Sequence, residues 1–211
     1  MCISKEVSLA AFITCTMTCV FLYNRNNEND RWIAVLLMYI GIMQFLEYLM
    51  WLDQNCTGTN QLATSVAYYH NLLQPFASLF VAYMFTKGNI HPAIYVSYLL
   101  YLMFSVPYIV EAKEPNQCSK PCKESKLGLS WPYTNTKSSM TWIIFLVALV
   151  SPFLMMKKNG AFYAIFISLL YLVSVYISDR RCKDGRMIPS SGSWWCLMAA
   201  FIPTSAIFIN K

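Results

Sequence analysis

The chain has 211 residues, of which 57% are hydrophobic and 12% charged, and its mean hydropathy is +0.43. This composition provides too little polar surface for an ordinary water-soluble domain. The net charge of +6 could attract nucleic acid, but the Lys and Arg residues are scattered through short segments between apolar runs, where basic residues usually set orientation and contact lipid headgroups. We therefore expect a membrane protein that contacts the lipid bilayer and does not bind nucleic acid.

Apolar runs recur along the whole chain and predict a single all-α domain, residues 1–211, folded as a polytopic transmembrane helix bundle. The seven predicted spans are residues 7–23, 32–52, 62–85, 91–111, 140–156, 161–178 and 194–209. The fifth and seventh runs are the shortest and contain Pro152 and Pro203, so either could be kinked or fail to cross the membrane. Six spans are therefore the alternative.

Seven spans divide the connecting segments between two membrane faces. Face A comprises the N-terminus and segments 53–61, 112–139 and 179–193, whereas face B comprises segments 24–31, 86–90 and 157–160 and the C-terminal Lys211. Face A contains more Lys and Arg, which by the positive-inside rule favours a cytosolic location. Its cysteines favour the opposite location, because two disulfides would form in an oxidising compartment. These candidates are Cys56, Cys118, Cys122 and Cys182.

We follow the cysteines, because Glu114 and Glu124 offset the charge of the long face A loop, whereas Lys157 and Lys158 lie directly at a span end on face B. The N-terminus is then predicted to be extracytosolic. The four cysteines could instead bind zinc, although four-ligand zinc sites usually come as two close pairs. We expect no metal and no cofactor.

The second span carries three residues that share one helical face, Gln44, Glu47 and Trp51, spaced three and four apart. A carboxylate within hydrocarbon is costly by several kcal/mol. Glu47 is therefore expected to face the bundle interior, to be protonated, or to have a hydrogen-bonding partner.

The third span offers partners on a polar stripe that consists of His70, Asn71, Gln74 and Ser78. At a rise of 1.5 Å per residue, Glu47 lies about 8 Å and His70 about 12 Å from face A. If the second and third spans are antiparallel neighbours, these depths could bring Glu47 close to His70, and Gln44 close to Gln74.

Two interpretations of this cluster stay open. Its side chains could form hydrogen bonds between helices, each of which would stabilise the bundle by about 0.6–2 kcal/mol. They could instead line a cavity open to face A, in which the carboxylate and imidazole bind a cation or polar ligand or relay a proton. Most tryptophans near span ends are expected to form an interfacial belt, and Trp51 and Trp195 are the best candidates to join the cavity instead.

Three short motifs resemble an uncharacterised family of seven-span membrane proteins found in large DNA viruses of algae and protists. They are Met43-Gln44-x-x-Glu47-Tyr48-x-x-Trp51, Gln74-Pro75 and Gly192-Ser193-x-Trp195-Cys196. The resemblance is strongest in spans two, three and seven and extends loosely over the chain. It implies a viral membrane protein of seven spans, and it implies no activity.

Two functions are predicted. The first is a small transporter, channel or receptor-like binder of a small polar or cationic ligand. The second is a structural or interaction protein of a cellular or viral membrane, in which the cluster only holds helices together. A membrane enzyme is a less favoured third, because no nucleophile or set of metal ligands accompanies Glu47 and His70. The small-residue face of Ala11, Cys15 and Cys19 in the first span could support a homo-oligomer.

Overall fold

The computed structural model of the chain describes residues 4–25, 27–111, 117–122, 128–132, 139–181 and 191–209. Its α-helices are α1 (Lys5–Asn24), α2 (Glu28–Leu52), α3 (Thr59–Phe85), α4 (Pro92–Glu111), α5 (Ser139–Val150), α6 (Gly160–Arg181), α7 (Ser191–Ala200) and α8 (Ile202–Ile209). A 3-10 segment, Ser151–Met155, follows α5. The short strands β1 (Lys120–Pro121) and β2 (Leu129–Ser130) pair antiparallel. The prediction of an all-α bundle is confirmed, with this small hairpin as an addition.

Three of the described helices are long and apolar enough to cross a membrane: α1, α2 and the Gly160–Ser178 part of α6. Shorter apolar stretches are Pro92–Val106, Thr141–Met155 and Ser193–Ile209. The 27 residues of α3 carry the polar stripe, which makes this helix less apolar than its neighbours. These lengths and compositions indicate an integral membrane protein.

The two short proline-containing runs are both interrupted. α5 stops at Val150, and the chain continues through the 3-10 segment that contains Pro152. α7 and α8 form one apolar stretch that is broken at Phe201, two residues before Pro203. In each case the proline lacks the backbone N–H that a continuous helix needs.

α2 lies at the centre of the bundle, where it packs against α1, α3 and α7. About 61% of its apolar window is buried, compared with 28% for α1 and for α6. α1 approaches α2 closely at Gly41, where an added Cβ would lie 2.6 Å from the Cys15 sulfur. The small-residue face of α1 therefore packs within this chain, which leaves the predicted homo-oligomer without support from that face.

The outer surface of the bundle is apolar. Large hydrophobic side chains with more than half of their surface exposed occur on most of the long helices, among them Met17, Leu62, Phe80, Met103, Ile165 and Phe208. Soluble monomers rarely expose apolar surface on this scale, whereas a helix facing lipid requires it. The helices thus have polar groups inside and apolar groups outside.

The face B end of the bundle contains two ion pairs. Arg25 Nε lies 3.2 Å from Asp30 Oδ2, and the Asp30 side chain is fully buried. Arg25 also donates a hydrogen bond of 3.1 Å to the carbonyl of Ile207 in α8. The second pair joins Lys157 to Glu28 at 2.5 Å and is exposed. These contacts connect α1, α2 and α8 with the segment that precedes α6.

Candidate intramembrane polar site

Glu47 is held inside the bundle by hydrogen bonds from two helices. The Gln44 amide, one turn earlier on α2, donates to Glu47 Oε2 at 3.0 Å. The Ser193 hydroxyl of α7 donates to the other carboxylate oxygen, Oε1. All three side chains have no exposed surface. The expectation that Glu47 faces the interior is thus met by a closed contact between α2 and α7.

A second group of buried polar side chains joins α3 to α7. The Gln74 amide donates to Asn71 Oδ1 at 2.7 Å, and the indole N–H of Trp195 donates to Gln74 Oε1 at 3.2 Å. The Cys196 thiol approaches Asn71 Oδ1 at 4.0 Å, the limit for a sulfur donor. α7 therefore contacts both polar groups within four consecutive residues: Ser193 contacts the first group, and Trp195 and Cys196 contact the second.

His70 contacts Tyr39 of α2. Its ring stacks on the Tyr39 ring, with ring centroids 4.2 Å apart and planes 12° apart, and both ring nitrogens are buried with no hydrogen-bonding partner in the described residues. Tyr39 precedes Glu47 by eight residues, which corresponds to about 12 Å along α2. The proximity of Glu47 and His70 that the two spans could allow is therefore not formed through a hydrogen bond to the imidazole.

Trp51 lies in the last turn of α2 and is half-buried. Its indole nitrogen is shielded from solvent and has no hydrogen-bonding partner in the part of the chain that the structure describes. Trp195, by contrast, is buried in the network, where its ring also packs edge-on against Tyr171 at 5.6 Å. The two tryptophans that were expected to join the cavity thus differ in what they contact.

Two tyrosines of α4 donate to α3 close to Pro75, which lies inside this helix. The Tyr98 hydroxyl lies 2.7 Å from the carbonyls of Pro75 and of Ala148, and the Tyr101 hydroxyl donates to the carbonyl of Leu72 at 2.8 Å. Pro75 has no N–H to donate within the helix, and these hydroxyls connect the same part of α3 to α4. The sequence signals these residues only by their three-residue spacing, which a Tyr-rich chain also produces by chance.

On face A, the loop between α2 and α3 folds around the Asp53 carboxylate. This carboxylate accepts backbone hydrogen bonds from Asn60, Thr57 and Gly58, at 2.9–3.1 Å, and one from the Thr57 hydroxyl at 2.9 Å. The N–H groups of Asn60 and Thr57 stabilise the charged form most and lower the pKa of Asp53 to about 2. Asp53 thereby fixes the start of α3.

Asn60 connects this loop to the long face A segment. Its amide donates to the carbonyls of Met50 and Ser119, and its Oδ1 accepts the Ser119 N–H at 2.9 Å. Thr64, one turn later, lies 3.0 Å from the Ser119 hydroxyl. No sequence pattern indicates this arrangement, because Ser119 is 59 positions away from Asn60.

Disulfides reinforce the same end of the bundle. Cys56 is bonded to Cys118, with Cα atoms 6.1 Å apart, and Cys122 is also disulfide-bonded. Cys182, the fourth predicted cysteine, lies outside the described residues. The cysteines of the membrane helices, Cys15, Cys19 and Cys196, are buried thiols.

Within the described residues, no group of three or more His, Cys, Asp or Glu side chains is arranged to hold a metal ion. Comparison with known proteins supplies no further guide to function. No protein family, curated protein or solved structure matches this chain.

Proposed function

We propose that the chain is a multi-pass membrane protein that binds a small polar or cationic ligand at the polar site between α2, α3 and α7. The observation that carries this proposal is His70, whose two ring nitrogens are buried without a partner. A buried imidazole with neither nitrogen hydrogen-bonded loses about 1–3 kcal/mol for each unmade contact. A ligand or water that reaches His70 would recover this loss.

The side chains that follow His70 on α3 are polar and lead to the rest of the site. Asn71 is adjacent in sequence and Gln74 is one turn later, and both contact α7, which carries the Ser193 hydroxyl that donates to Glu47. A ligand at His70 would have to reach Glu47 by rearranging these hydrogen bonds. Ionisable groups at this depth commonly belong to ion or solute pathways. A transporter or receptor-like binder therefore fits the site better than an enzyme does.

The proposed topology has seven spans, formed by α1, α2, α3, α4, α5 with its 3-10 segment, α6, and α7 with α8. With this count the N-terminus and the Cys56–Cys118 disulfide share face A. Disulfides persist in oxidising compartments, which supports an extracytosolic N-terminus. Membership of the viral seven-span family stays a prediction, although residues from its three motifs meet at the site.

The test uses the full chain in a neutral detergent. We expect Na⁺, K⁺ or methylammonium, supplied as chlorides, to raise the melting temperature above that in choline chloride at equal ionic strength. A ligand at 100 times its Kd stabilises the folded state by about 2.7 kcal/mol. Glu47→Gln and His70→Phe should abolish the increase, whereas Glu6→Gln, which removes an exposed carboxylate from α1, should retain it. An equal response of all variants would contradict the proposal.

Flux measurements then separate the two kinds of binder. The chain is reconstituted in vesicles, and uptake of the stabilising cation is followed with a trapped fluorescent indicator. A transporter or channel should raise uptake in a manner that Glu47→Gln removes. A receptor-like binder should show the thermal shift without uptake.

The hydrogen bonds themselves favour a second candidate, a structural membrane protein in which the site only fixes the helices. Glu47, Gln44, Gln74 and Ser193 have no exposed surface, and the contacts join three helices. In that case Glu47→Gln lowers the melting temperature equally in all salts.

A further inference from the structure

A cavity of about 750 Å³ opens at face B, at the opposite end of the bundle from the Glu47 carboxylate. It lies between the start of α2, the last turn of α3 with the turn that follows, and the end of the 3-10 segment with Lys157 after it. Its volume falls within the range of about 300–1,000 Å³ typical of small-molecule sites. This cavity does not depend on the function proposed above.

The cavity is positively charged. Three cations line it, Arg31, Lys87 and Lys157, against one carboxylate, that of Glu28. Lys157 is paired with Glu28 at 2.5 Å, so this pair contributes little net charge. Lys87 is exposed and has no ionic partner in the part of the chain that the structure describes. Arg31 and Lys87 therefore leave an excess of two positive charges.

Arg31 is fixed in position on one side of the cavity. Its Nε donates a hydrogen bond of 3.2 Å to the carbonyl of Tyr23, and its guanidinium carbon lies 5.5 Å from the centre of the Tyr23 ring. These contacts use one edge of a guanidinium that carries five N–H donors. The remaining donors suit an oxyanion, which accepts more than one N–H at once.

Lys87 is held by an unusual turn at the end of α3. Lys87 and Gly88 both have positive φ, 53° and 82°, and the Gly88 N–H donates to the carbonyl of Tyr83 at 2.9 Å. A Cβ at Gly88 would approach the Tyr83 ring to 3.2 Å, so a larger residue is disfavoured there. The chain thus adopts a strained conformation at the residue that brings its charge to the cavity.

Trp32 contributes an aromatic side chain to the cavity lining and is only 2% exposed. Its ring stacks on Phe85, which also lines the cavity, with centroids 5.8 Å apart. The two rings give the cavity a rigid apolar surface.

One wall of the cavity is apolar. Met84, Phe85 and Met155 line it together with Trp32, so the site combines cationic donors with a hydrocarbon wall. An inorganic anion would use only the donors, whereas an amphiphile would use both surfaces. At face B, α2 begins and α3 ends, and helix ends lie at the depth of lipid phosphates.

We propose that this cavity binds the phosphate group of an anionic phospholipid, with the glycerol and proximal acyl carbons against the apolar wall. Arg31 and Lys87 donate to the phosphate, and the Trp32 and Phe85 rings contact the acyl carbons. Asn89 also lines the cavity and offers an amide to the headgroup.

The test titrates the full chain in neutral detergent with dihexanoyl phosphatidylglycerol and counts bound lipid by native mass spectrometry. Lys87→Gln should weaken binding about fivefold, because a basic residue contributes about that factor to the affinity for an anionic membrane. Arg31→Gln removes the second of the two excess cations of the lining and should weaken binding by a similar factor. Lys158→Gln, the matched control, removes an equal charge outside the cavity and should leave binding unchanged.

Three results would overturn the proposal. Equal weakening by Lys87→Gln and Lys158→Gln would mean that lipid responds only to overall charge. Equal affinity for dihexanoyl phosphatidylcholine would remove the requirement for a net anionic lipid. Inorganic phosphate that binds as tightly as phosphatidylglycerol would assign the site to the free anion rather than to lipid.

Discussion

The two ends of this bundle are held together by different chemistry. At face A, neutral hydrogen bonds from Asn60 and a disulfide between Cys56 and Cys118 join the α2–α3 loop to the long segment. At face B, ion pairs join the helix ends: Arg25 with Asp30, and Lys157 with Glu28. The only disulfides within the described residues lie at face A.

This difference has consequences for how each end responds to its surroundings. A disulfide is insensitive to salt and sensitive to reductant, whereas ion pairs show the reverse behaviour unless they are buried. Such an arrangement suits a protein that lies between an oxidising and a reducing compartment, because only the end with the disulfide needs oxidising conditions. Perturbing one end at a time therefore tests whether the two ends are stabilised independently.

The largest loss of stability is expected at face B, from the substitution Asp30→Asn. The substitution keeps the size of the fully buried Asp30 side chain and leaves the Arg25 guanidinium without its charged partner. Breaking a buried pair on one side typically costs about 3–5 kcal/mol. Thermal unfolding in detergent should show this loss, whereas Glu28→Gln, which breaks the exposed pair, should cost at most about 1 kcal/mol. Equal losses of stability from the two substitutions would contradict the conclusion that the Arg25–Asp30 pair stabilises face B more than the Lys157–Glu28 pair does.

An intermediate effect is expected at face A from loss of the Cys56–Cys118 disulfide, which closes a loop with a sequence separation of 62 residues. Disulfides of this kind stabilise by about 2–4 kcal/mol. The double variant Cys56→Ser, Cys118→Ser should unfold at lower temperature than the parent chain under oxidising conditions. Adding reductant should lower the melting temperature of the parent chain more than that of the variant. A variant that is as stable as the parent would show that the Asn60 hydrogen bonds alone hold this end.

The smallest effect is expected from acid acting on Asp53. The pKa of this carboxyl is lowered to about 2 from an ordinary value of 3.8, so the charged form stabilises the fold. This contribution is complete above about pH 4 and is lost as the pH falls through 2. The difference in melting temperature between the parent chain and Asp53→Asn should therefore shrink from pH 5 to pH 2. A difference that stays constant over this range would exclude Asp53 as the cause.

The fold could be predicted from the sequence because long apolar runs determine helices in a membrane protein, largely without regard to their neighbours. The stacking of His70 on Tyr39 could not be predicted, since it depends on how α3 is aligned along α2. The loop between these helices is organised by Asp53, a single carboxylate that accepts hydrogen bonds from the N–H groups of Thr57, Gly58 and Asn60. Local hydrogen bonds of this kind leave no periodic signal.

The candidate site was predicted in part for a similar reason. Gln44 and Glu47 were found because a polar residue in an apolar run stands out. Ser193 was overlooked as a partner of Glu47 because serine is common in membrane helices and its contact crosses 146 positions of sequence.

The tyrosine contacts near Pro75 bear on how this bundle can move. A proline inside a helix removes one backbone hydrogen bond and makes bending at that point easier. Here the hydroxyls of Tyr98 and Tyr101 donate to the carbonyls of Pro75 and Leu72, so the part of α3 most able to bend is attached to α4. A displacement of this part of α3 therefore either breaks two hydrogen bonds or moves α4 with it.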